Sequence, residues 1–352
     1  LKLGIAMIQS GESLISFVGA AESGIVPEIY EAFAATRGLA EDKNLIKLQE
    51  QLGEDCEAPN HRKICRPFGE NIGMILGESA QFIVLMQDSL ALELGLNIHG
   101  AALSSHIHSD GYKKSISGPG AGNYLTVGKI FNEIEKHFSS DALSKTFFHA
   151  HGTSTPQNRE SESHIISSIS KAFGIEALPV TAIKSYLGHS LAAAGGDQMI
   201  STLGSWKNNL IPGITSTPEL AENVHKDNVD FLLQNKKIED GEFDFAVLNA
   251  KGFGGNNGTS LVASPSKTMQ MLKSKHSRKD ISTYFIKKSK IDAQLNLTKE
   301  KILKGDIKSR YIFGEDVIDG MNDFDIETDK IVNKLNKEVF DLNSTLPYKD
   351  YF

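Results

Sequence analysis

The chain has 352 residues, of which 40% are hydrophobic and 23% charged, and its net charge is -7. These proportions are ordinary for a globular protein with a core, and its aliphatic runs are far shorter than the ~20 apolar residues that span a bilayer. The negative charge does not favour a nucleic-acid partner. The two cysteines exclude both a disulfide framework and a four-cysteine zinc site. We therefore expect a cytoplasmic protein without a membrane span.

Segments with strand and helix character alternate along the first part of the chain. Predicted strands cover residues 14–20, 82–86, 98–106, 146–150, 178–183, 243–248 and 259–263, and predicted helices cover residues 1–8, 88–96, 122–138, 160–173 and 190–206. The polar stretch 40–64 is expected to be an irregular surface insertion. This alternation predicts an α/β layered fold.

Composition changes near residue 265. Residues 1–265 carry 20 basic and 30 acidic side chains and residues 266–352 carry 17 and 14, so that net charges of -10 and +3 sum to -7. We therefore predict a core domain over residues 1–265 and a charged, helical C-terminal extension over residues 266–352.

The first candidate site is HAHGTSTP at residues 149–156, at the end of a predicted strand. A strand period of two places His149 and His151 on the same face. A polar loop with a structural histidine would explain this segment alone. A metal site built on His-x-His would need further ligands at suitable spacing.

The second candidate site is KSYLGHSLAAAGG at residues 184–196, where an apolar strand delivers Lys184 and a turn presents His189 at the start of a helix. The partial positive charge of a helix N-terminus disfavours a protonated imidazole. A neutral His189 could therefore donate a hydrogen bond to a carbonyl oxygen. The alternative is a tightly packed core helix that follows a surface histidine.

The third candidate site is NAKGFGGNNG at residues 249–258, between two apolar runs. Its glycines allow close backbone approach and positive φ. The spacing and the Lys-Ser/Thr ending of a P-loop are absent. A plain hairpin turn is the alternative.

The order of these segments is more specific than any one of them. A His-Gly-Thr-x-Thr-Pro strand end, a Lys-x4-His before an Ala/Gly-rich helix and a Gly-Phe-Gly-Gly turn resemble the β-ketoacyl synthases, condensing enzymes of the thiolase superfamily. RPF at residues 66–68, GESA at 77–80 and IQSG at 8–11 extend the resemblance over about residues 1–265. It implies a thiolase-like five-layer αβαβα fold, of which this chain supplies mainly the C-terminal half.

The resemblance assigns the catalytic residues. His151 and His189 match the two active-site histidines, whose neutral Nε2–H groups bond the thioester oxygen of malonate as carbon dioxide leaves. Lys184 matches the lysine that orders this site electrostatically.

The resemblance also assigns the residues around the substrate. Phe253 matches the gating phenylalanine, whose backbone N–H, flanked by Gly252 and Gly254, forms half of an oxyanion hole. Thr153 and Thr155 match the threonines that bond the phosphopantetheine arm.

These matches imply a 3-oxoacyl-[acyl-carrier-protein] synthase of fatty acid or polyketide-like biosynthesis. Its implied partners are acyl carrier protein, an acyl-CoA or acyl-carrier primer, and a second copy in a homodimer. No metal and no cofactor is implied, because the substrate carries the phosphopantetheine and its thioester supplies the activation.

The nucleophilic cysteine of the family matches neither Cys56 nor Cys65. Counting back from Gly11 by the family's spacing places that cysteine a few residues before Leu1, at a helix N-terminus that would lower its pKa. The first residues already have the character of the middle of a helix. The sequence is therefore expected to begin inside a domain.

Several positions depart from the family's pattern. Lys251 stands where phenylalanine is usual, Arg159 where an acidic residue is common, and Gln198 where a glutamate often neutralises the lysine, although Asp197 is adjacent. In these departures the sequence resembles the long bacterial synthases of the FabY type. A non-catalytic partner of the chain-length-factor type is the alternative function, and a degradative thiolase is a more remote one.

The basic residues of the extension allow two interpretations. A solvated, charged extension could simply pack on the surface of the dimer. A basic stretch could instead attract the acidic carrier protein through Lys267, Lys273, Lys275, Arg278, Lys279, Lys287, Lys288 and Lys290.

Overall fold

The computed structural model describes residues 1–112, 120–139, 141–307 and 322–343. The helices are α1 (Lys2–Ser10), α2 (Pro27–Ala35), α3 (Asp42–Gln51), α4 (Asp88–Leu94), α5 (Ala121–His137), α6 (Pro156–Ala172), α7 (Lys184–Leu187), α8 (Ala194–Asn208), α9 (Pro265–Lys275) and α10 (Arg278–Leu303). The strands are β1 (Ile15–Glu22), β2 (Ser79–Met86), β3 (Ala101–Ser109), β4 (Thr146–His149), β5 (Leu178–Thr181), β6 (Leu210–Ile211), β7 (Val229–Phe231), β8 (Lys236–Lys237), β9 (Phe245–Gly252), β10 (Asn256–Ala263), β11 (Phe324–Ile326), β12 (Lys330–Asn333) and β13 (Val339–Asp341).

Six strands form one mixed sheet in the order β3–β10–β9–β4–β5–β7. β9, β4, β5 and β7 are parallel, whereas β10 is antiparallel to both of its neighbours. The carboxyl ends of parallel strands meet at one edge of a sheet, which is where ligands bind in open α/β sheets. The three candidate segments of the sequence follow or include the ends of β4, β5 and β9, so this edge gathers them.

The main sheet is buried on both faces. Along β9, Phe245 and Val247 pack into the core beside α5 and α6, whereas Ala246 and Leu248 pack into a second core with Met199 of α8. This alternation follows from the period of two of a strand. Near-continuous apolar strands are therefore what a sheet between two helix layers requires.

The layers alternate between sheets and helices. β1 and β2 form a two-stranded antiparallel sheet, and α1 and α8 lie between it and the main sheet, whose other face is covered by α5 and α6. The predicted α/β class is confirmed, with four alternating layers described of the five that the resemblance implies. No helix in the described ranges is both long and apolar enough to cross a membrane.

The outer face of the β1–β2 sheet is apolar and exposed. Alternate residues of both strands are exposed. Phe17 is 75% exposed and Phe82 62%, and Ile15 and Val84 share the exposed face. This face contrasts with the main sheet, where both faces are covered.

The largest difference from the predicted elements lies within residues 40–64, part of which is helical and not irregular. They contain α3, whose Leu45 and Leu48 are buried, because apolar residues at i and i+3 share one helix face. Gln49 is buried beside them, where its amide donates to the carbonyl oxygen of Ala58 and accepts from the N–H of Asn60. Charged side chains on the opposite face made the segment look like a loop.

The structure forms two compact units, Leu1–Ile291 and Asp292–Phe352. The composition change at residue 265 coincides with the end of β10 and the start of α9, but a domain boundary there stays a prediction. The predicted helical extension holds for α9 and α10. Within the described part of the second unit, β11, β12 and β13 form an antiparallel sheet that the sequence did not predict.

Candidate active site

His151, Lys184 and His189 lie together at the carboxyl edge of the main sheet. His151 follows β4 and Lys184 begins the short α7 after β5, and both are buried. The Lys184 Nζ donates a hydrogen bond to the backbone carbonyl of His151 at 2.7 Å. The ring centroids of His151 and His189 are 5.2 Å apart in an edge-to-face arrangement. The structure thus brings together the three residues that the sequence predicted as catalytic.

The hydrogen bonds of His189 fix its tautomer. Its Nδ1 accepts a hydrogen bond from the backbone N–H of Leu191 at 3.1 Å. In a neutral imidazole the nitrogen that accepts carries no hydrogen, so the other nitrogen must. His189 is therefore an Nε2–H donor, which is the form that could stabilise an oxyanion.

The site keeps its histidines neutral. Burial, and then the Lys184 cation, lower the pKa of His189 to about 3 and that of His149 to about 3. The same two causes, followed by the charges of His189 and Lys251, lower the pKa of His151 well below its usual value. Neutral imidazoles donate hydrogen bonds without acting as acids at physiological pH.

Glu162 of α6 holds the turn that presents His151. It is fully buried, and its Oε1 accepts from the N–H of His151 and the Nδ2 of Asn249, both at 2.8 Å. Its Oε2 accepts from the N–H of Gly152 at 2.8 Å and the Nδ2 of Asn158 at 2.9 Å. Four donors on one carboxylate fix the backbone just after β4.

Glu162 was not among the residues that the sequence motifs predicted. A signal was present, because Ile165 and Ile166 follow at i+3 and i+4 and Asn158 precedes at i−4, which puts the carboxylate on the buried face of the helix. Buried carboxylates are rare unless they are paired or satisfied. A glutamate on an apolar helix face was therefore a recognisable candidate.

Gln198 and Asp197 are neighbours at the start of α8 and make different contacts. Gln198 donates to the carbonyl oxygens of Ala150 and Asn249, both at 2.8 Å, and so ties the ends of β4 and β9 together. Asp197 is the buried carboxylate. Burial lowers the pKa of Lys184 to about 8, against the opposing charges of Glu162, Asp197 and Cys65 in that order. Glu162 and Asp197 are thus the two carboxylates whose charges oppose the lowering of the pKa of Lys184.

The turn after His151 needs glycine. Gly152 has φ +52°, and a Cβ there would lie 2.4 Å from the Cβ of Ala182. Thr153 is buried, and its hydroxyl hydrogen-bonds that of Thr155 at 3.1 Å. The two predicted substrate-binding threonines therefore lie side by side, directly after His151.

The predicted Gly-Phe-Gly-Gly turn is the tip of the β9–β10 hairpin. Gly254 has φ +80°, which favours glycine, and Gly252 and Gly254 are both exposed. The Phe253 side chain is 52% exposed, and its ring lies 5.6 Å from the ring of Phe33 in α2. Nearby on β9, the Nζ of Lys251 lies 3.3 Å from the hydroxyl of Ser161. The hairpin tip with Phe253 lies at the same edge of the sheet as the histidines, and the Phe253 carbonyl oxygen accepts from the Nδ2 of Asn256 at 3.2 Å.

Cys65 lies beside Lys184 without the properties of a nucleophile. Its thiol contacts the Lys184 carbonyl oxygen at 3.0 Å. Burial outweighs the attraction of the Lys184 charge and raises the pKa of Cys65 to about 12. Since the thiolate is the reactive form, this cysteine is inert at neutral pH.

The depressed histidine pKa values predict how stability changes with pH. The unfolded chain protonates its histidines near pH 6.5, whereas folded His149 resists protonation until about pH 3. The unfolded state therefore binds more protons between these values, and the free energy of unfolding should fall as the pH falls through this window. Urea unfolding of His149→Gln over pH 7 to 4 should show a shallower fall than the natural protein. The exposed His164→Gln is the control, and equal slopes for all three proteins would contradict the prediction.

Comparison with known proteins agrees with this geometry. Residues 100–217 match the family described as beta-ketoacyl synthase, C-terminal domain. The beta-ketoacyl-[acyl-carrier-protein] synthase FabY of Pseudomonas aeruginosa is 41% identical over 320 residues, which are 91% of this chain and 50% of the relative. The chain spans about half the length of the curated relatives that it matches.

Two solved structures share the fold. A crystal structure of the ketosynthase FabY from P. aeruginosa aligns with a TM-score of 0.88 at 37% identity, covering 100% of this chain and 54% of that one. The ketosynthase AntDE, solved with the type II polyketide acyl-carrier protein AntF, aligns with a TM-score of 0.60 over 75% of this chain and 59% of that one. Its identity of 19% supports the fold alone. The shared domain and the extended similarity, with which the arrangement of the histidines agrees, show that the chain belongs to the β-ketoacyl synthases.

Proposed function

We propose that this chain provides the decarboxylation machinery of a 3-oxoacyl-[acyl-carrier-protein] synthase, which condenses an acyl primer with malonyl-acyl carrier protein. The observation that carries the proposal is the fixed tautomer of His189, an Nε2–H donor beside the neutral His151. His189 suits an oxyanion that develops during reaction, because its donor is already oriented and needs no reorganisation, and His151 beside it supplies a second neutral imidazole.

The first chemical step is loss of carbon dioxide from the malonyl group. The electron pair of the breaking C–C bond moves onto the thioester carbonyl and forms an enolate, whose oxygen accepts hydrogen bonds from His151 and His189. The Lys184 cation, held against the His151 carbonyl at 2.7 Å, adds positive potential at this edge. No metal or redox cofactor takes part in the proposed step.

The second step joins the two carbon chains. The enolate carbon attacks the carbonyl of the acyl group held as a thioester on a cysteine, and the cysteine thiolate leaves. In this proposal the acyl-carrying cysteine is neither Cys56 nor Cys65. The backbone N–H of Phe253 stabilises the oxyanion of this step, with Gly252 and Gly254 allowing the approach.

The remaining predicted residues bind and admit the substrate. The adjacent hydroxyls of Thr153 and Thr155 are suited to bonding the amide groups of a phosphopantetheine arm. The Phe253 ring, half exposed and packed on Phe33, serves as a gate that moves when the acyl group is in place.

The proposed partners are acyl carrier protein, an acyl-CoA or acyl-carrier primer, and a second copy of the chain in a homodimer, in the cytoplasm. The carrier is supported by the name of the FabY relative and by the complex of AntDE with its carrier protein. The net charge of -7 argues against nucleic acid as a partner.

The basic stretch of α9 and α10 is less suited to the carrier than the sequence suggested. Three of its cations are tied to the core: Lys267 lies 3.4 Å from Asp244, Lys275 lies 2.6 Å from Asp88, and Lys287 donates to the carbonyl of Glu93 at 2.6 Å. α9 also begins at the end of β10, which is the sheet edge opposite the histidines, because β10 is antiparallel to β9. Its position favours a packed extension.

A non-catalytic partner subunit is the competing function. Such subunits tend to lose the active-site histidines, whereas here His151, His189, Lys184 and Phe253 are all present and the first three are in contact or adjacent. Burial of polar groups without hydrogen-bond partners costs free energy. An intact set of buried donors therefore favours a catalytic role over a non-catalytic one.

The test is release of carbon dioxide from malonyl-acyl carrier protein by the natural protein, with and without an acyl primer. We expect decarboxylation, and, with a protein that includes the acyl-carrying cysteine, a 3-oxoacyl-carrier product by mass spectrometry when the primer is present. Cys56→Ser is the control, since this cysteine lies outside the site and should leave both readouts unchanged. Absence of decarboxylation by the folded natural protein would favour the non-catalytic alternative.

A further inference from the structure

Each of the two histidine turns is held by its own buried carboxylate. Glu162 binds the backbone of the turn that carries His151, as described above. We propose that Asp197 is a positioning residue for His189, acting through the hydroxyl of Ser190. This inference rests on the proposed function and assigns a role to a carboxylate that stands one position away from the glutamate expected by the resemblance.

The contacts of Asp197 link α8 to the His189 turn. Asp197 lies in the first turn of α8 and is 4% exposed. Its Oδ2 accepts a hydrogen bond from the hydroxyl of the buried Ser190, the residue directly after His189. Its Oδ1 accepts from the Nε2 of Gln81 in β2 at 2.7 Å. The carboxylate is thus anchored on one side and holds the turn on the other.

The turn that Asp197 holds contains a strained residue. Leu191 has φ +49°, a left-handed conformation that is strained for a non-glycine residue and persists only where its surroundings impose it. This conformation accompanies the contact of the Leu191 N–H with the Nδ1 of His189 at 3.1 Å. The hydrogen bond from Ser190 to Asp197 involves the residue next to Leu191, and it stabilises the turn against the strained conformation of Leu191. Loss of that bond should let the turn relax and release the tautomer of His189.

Charge alone does not explain a carboxylate at this position. A buried Lys184 needs a counter-charge, and Glu162 also supplies one. Gln198 already joins the strand ends with its amide, so a carboxylate at position 198 would face the carbonyl oxygens of Ala150 and Asn249. A carboxylate at position 197 accepts from the hydroxyl of Ser190 and also opposes the lowering of the pKa of Lys184.

Kinetics of two variants separate positioning from charge. Ser190→Ala keeps the carboxylate but removes the hydroxyl, and we expect kcat for malonyl-carrier decarboxylation to fall about 10- to 100-fold with KM nearly unchanged. Asp197→Asn removes the charge but keeps an acceptor oxygen for Ser190, since the Gln81 amide can turn its oxygen toward the new NH₂ group, and it should lose less activity. Ser205→Ala removes another buried hydroxyl of α8, one that bonds within the helix to the Ser201 carbonyl, and should match the natural protein.

The tautomer itself supplies a readout independent of catalysis. Two-bond ¹H–¹⁵N correlation spectra should show His189 as the Nε2–H form in the natural protein and in Ser205→Ala, and as a mixture of tautomers in Ser190→Ala. A Ser190→Ala protein that keeps natural kcat and the Nε2–H signature would overturn the proposal. An Asp197→Asn variant that loses more kcat than Ser190→Ala would also overturn it, in favour of charge. If the natural protein lacked decarboxylation, the proposed function would fail while the spectra still decided the positioning role.

Discussion

Replacing His189 with alanine is expected to lower the rate of malonyl-carrier decarboxylation by about 10²- to 10³-fold, the usual cost of losing one donor to an oxyanion. The hydrogen bond from the Leu191 N–H to the Nδ1 of His189 leaves the Nε2–H as the donor of this ring. Alanine has no donor to replace it. His189→Gln, which keeps an N–H donor on a side chain of similar reach, should recover part of the loss. The measurement is carbon dioxide release at saturating substrate.

Exposed histidines provide the control for this experiment. His225 packs edge-to-face on His164 with ring centroids 4.8 Å apart, away from the site, and His225→Ala should leave the rate unchanged. A His189→Ala protein that decarboxylates as fast as His225→Ala would show that His189 does not stabilise the enolate. Because the imidazole is buried against His151, the folded state of each variant should be checked by its thermal transition.

Replacing Glu162 with glutamine is expected to lower the free energy of unfolding by about 3–5 kcal/mol, the range measured when one partner of a buried charged network is removed. The glutamine oxygen can accept two of the four donors, whereas its NH₂ group would face the other two. The Lys184 cation would also lose the first of its opposing charges. Urea unfolding of the variant and the natural protein measures the difference.

Glu160→Gln is the matched control, on the same helix two residues away. Glu160 is exposed, and its Oε2 accepts from the Nδ2 of Asn223 at 3.3 Å. An exposed substitution of this kind usually changes stability by less than about 0.5 kcal/mol. A Glu162→Gln protein as stable as Glu160→Gln would mean that the turn after β4 is held by contacts other than this carboxylate.

The sequence predicted the site best where the functional residues directly follow or end a predicted strand. The apolar runs around residues 146–150 and 245–248 predicted β4 and β9 because strands buried on both faces are continuously apolar. The motifs containing His151, Lys184 and Phe253 predicted the site because each follows or ends such a strand. Their meeting at one edge needs only parallel pairing, which the predicted α/β alternation implies.

The partners of the supporting residues were hidden from the sequence because they are distant along the chain. The bond of Gln81 to Asp197 spans 116 residues, and that of Asn249 to Glu162 spans 87. No local pattern marks a carboxylate as the acceptor of a donor so far away. α3 was missed for a different reason, since a helix with one narrow apolar stripe has the composition of a polar loop.

The strand order of the main sheet also determines when this site can form during synthesis. β9 and β10 lie between β3 and β4, yet they are made after both of them and after β5 and β7. A nascent chain that ends before Phe245 has its two flanking strands but not the strands that join them. The sheet therefore closes only when β9 and β10 insert between β3 and β4, after the other strands of that sheet have been made. Pairing of this non-local kind folds slowly, so the facing edges of β3 and β4 stay unpaired until the hairpin of Phe253 has emerged.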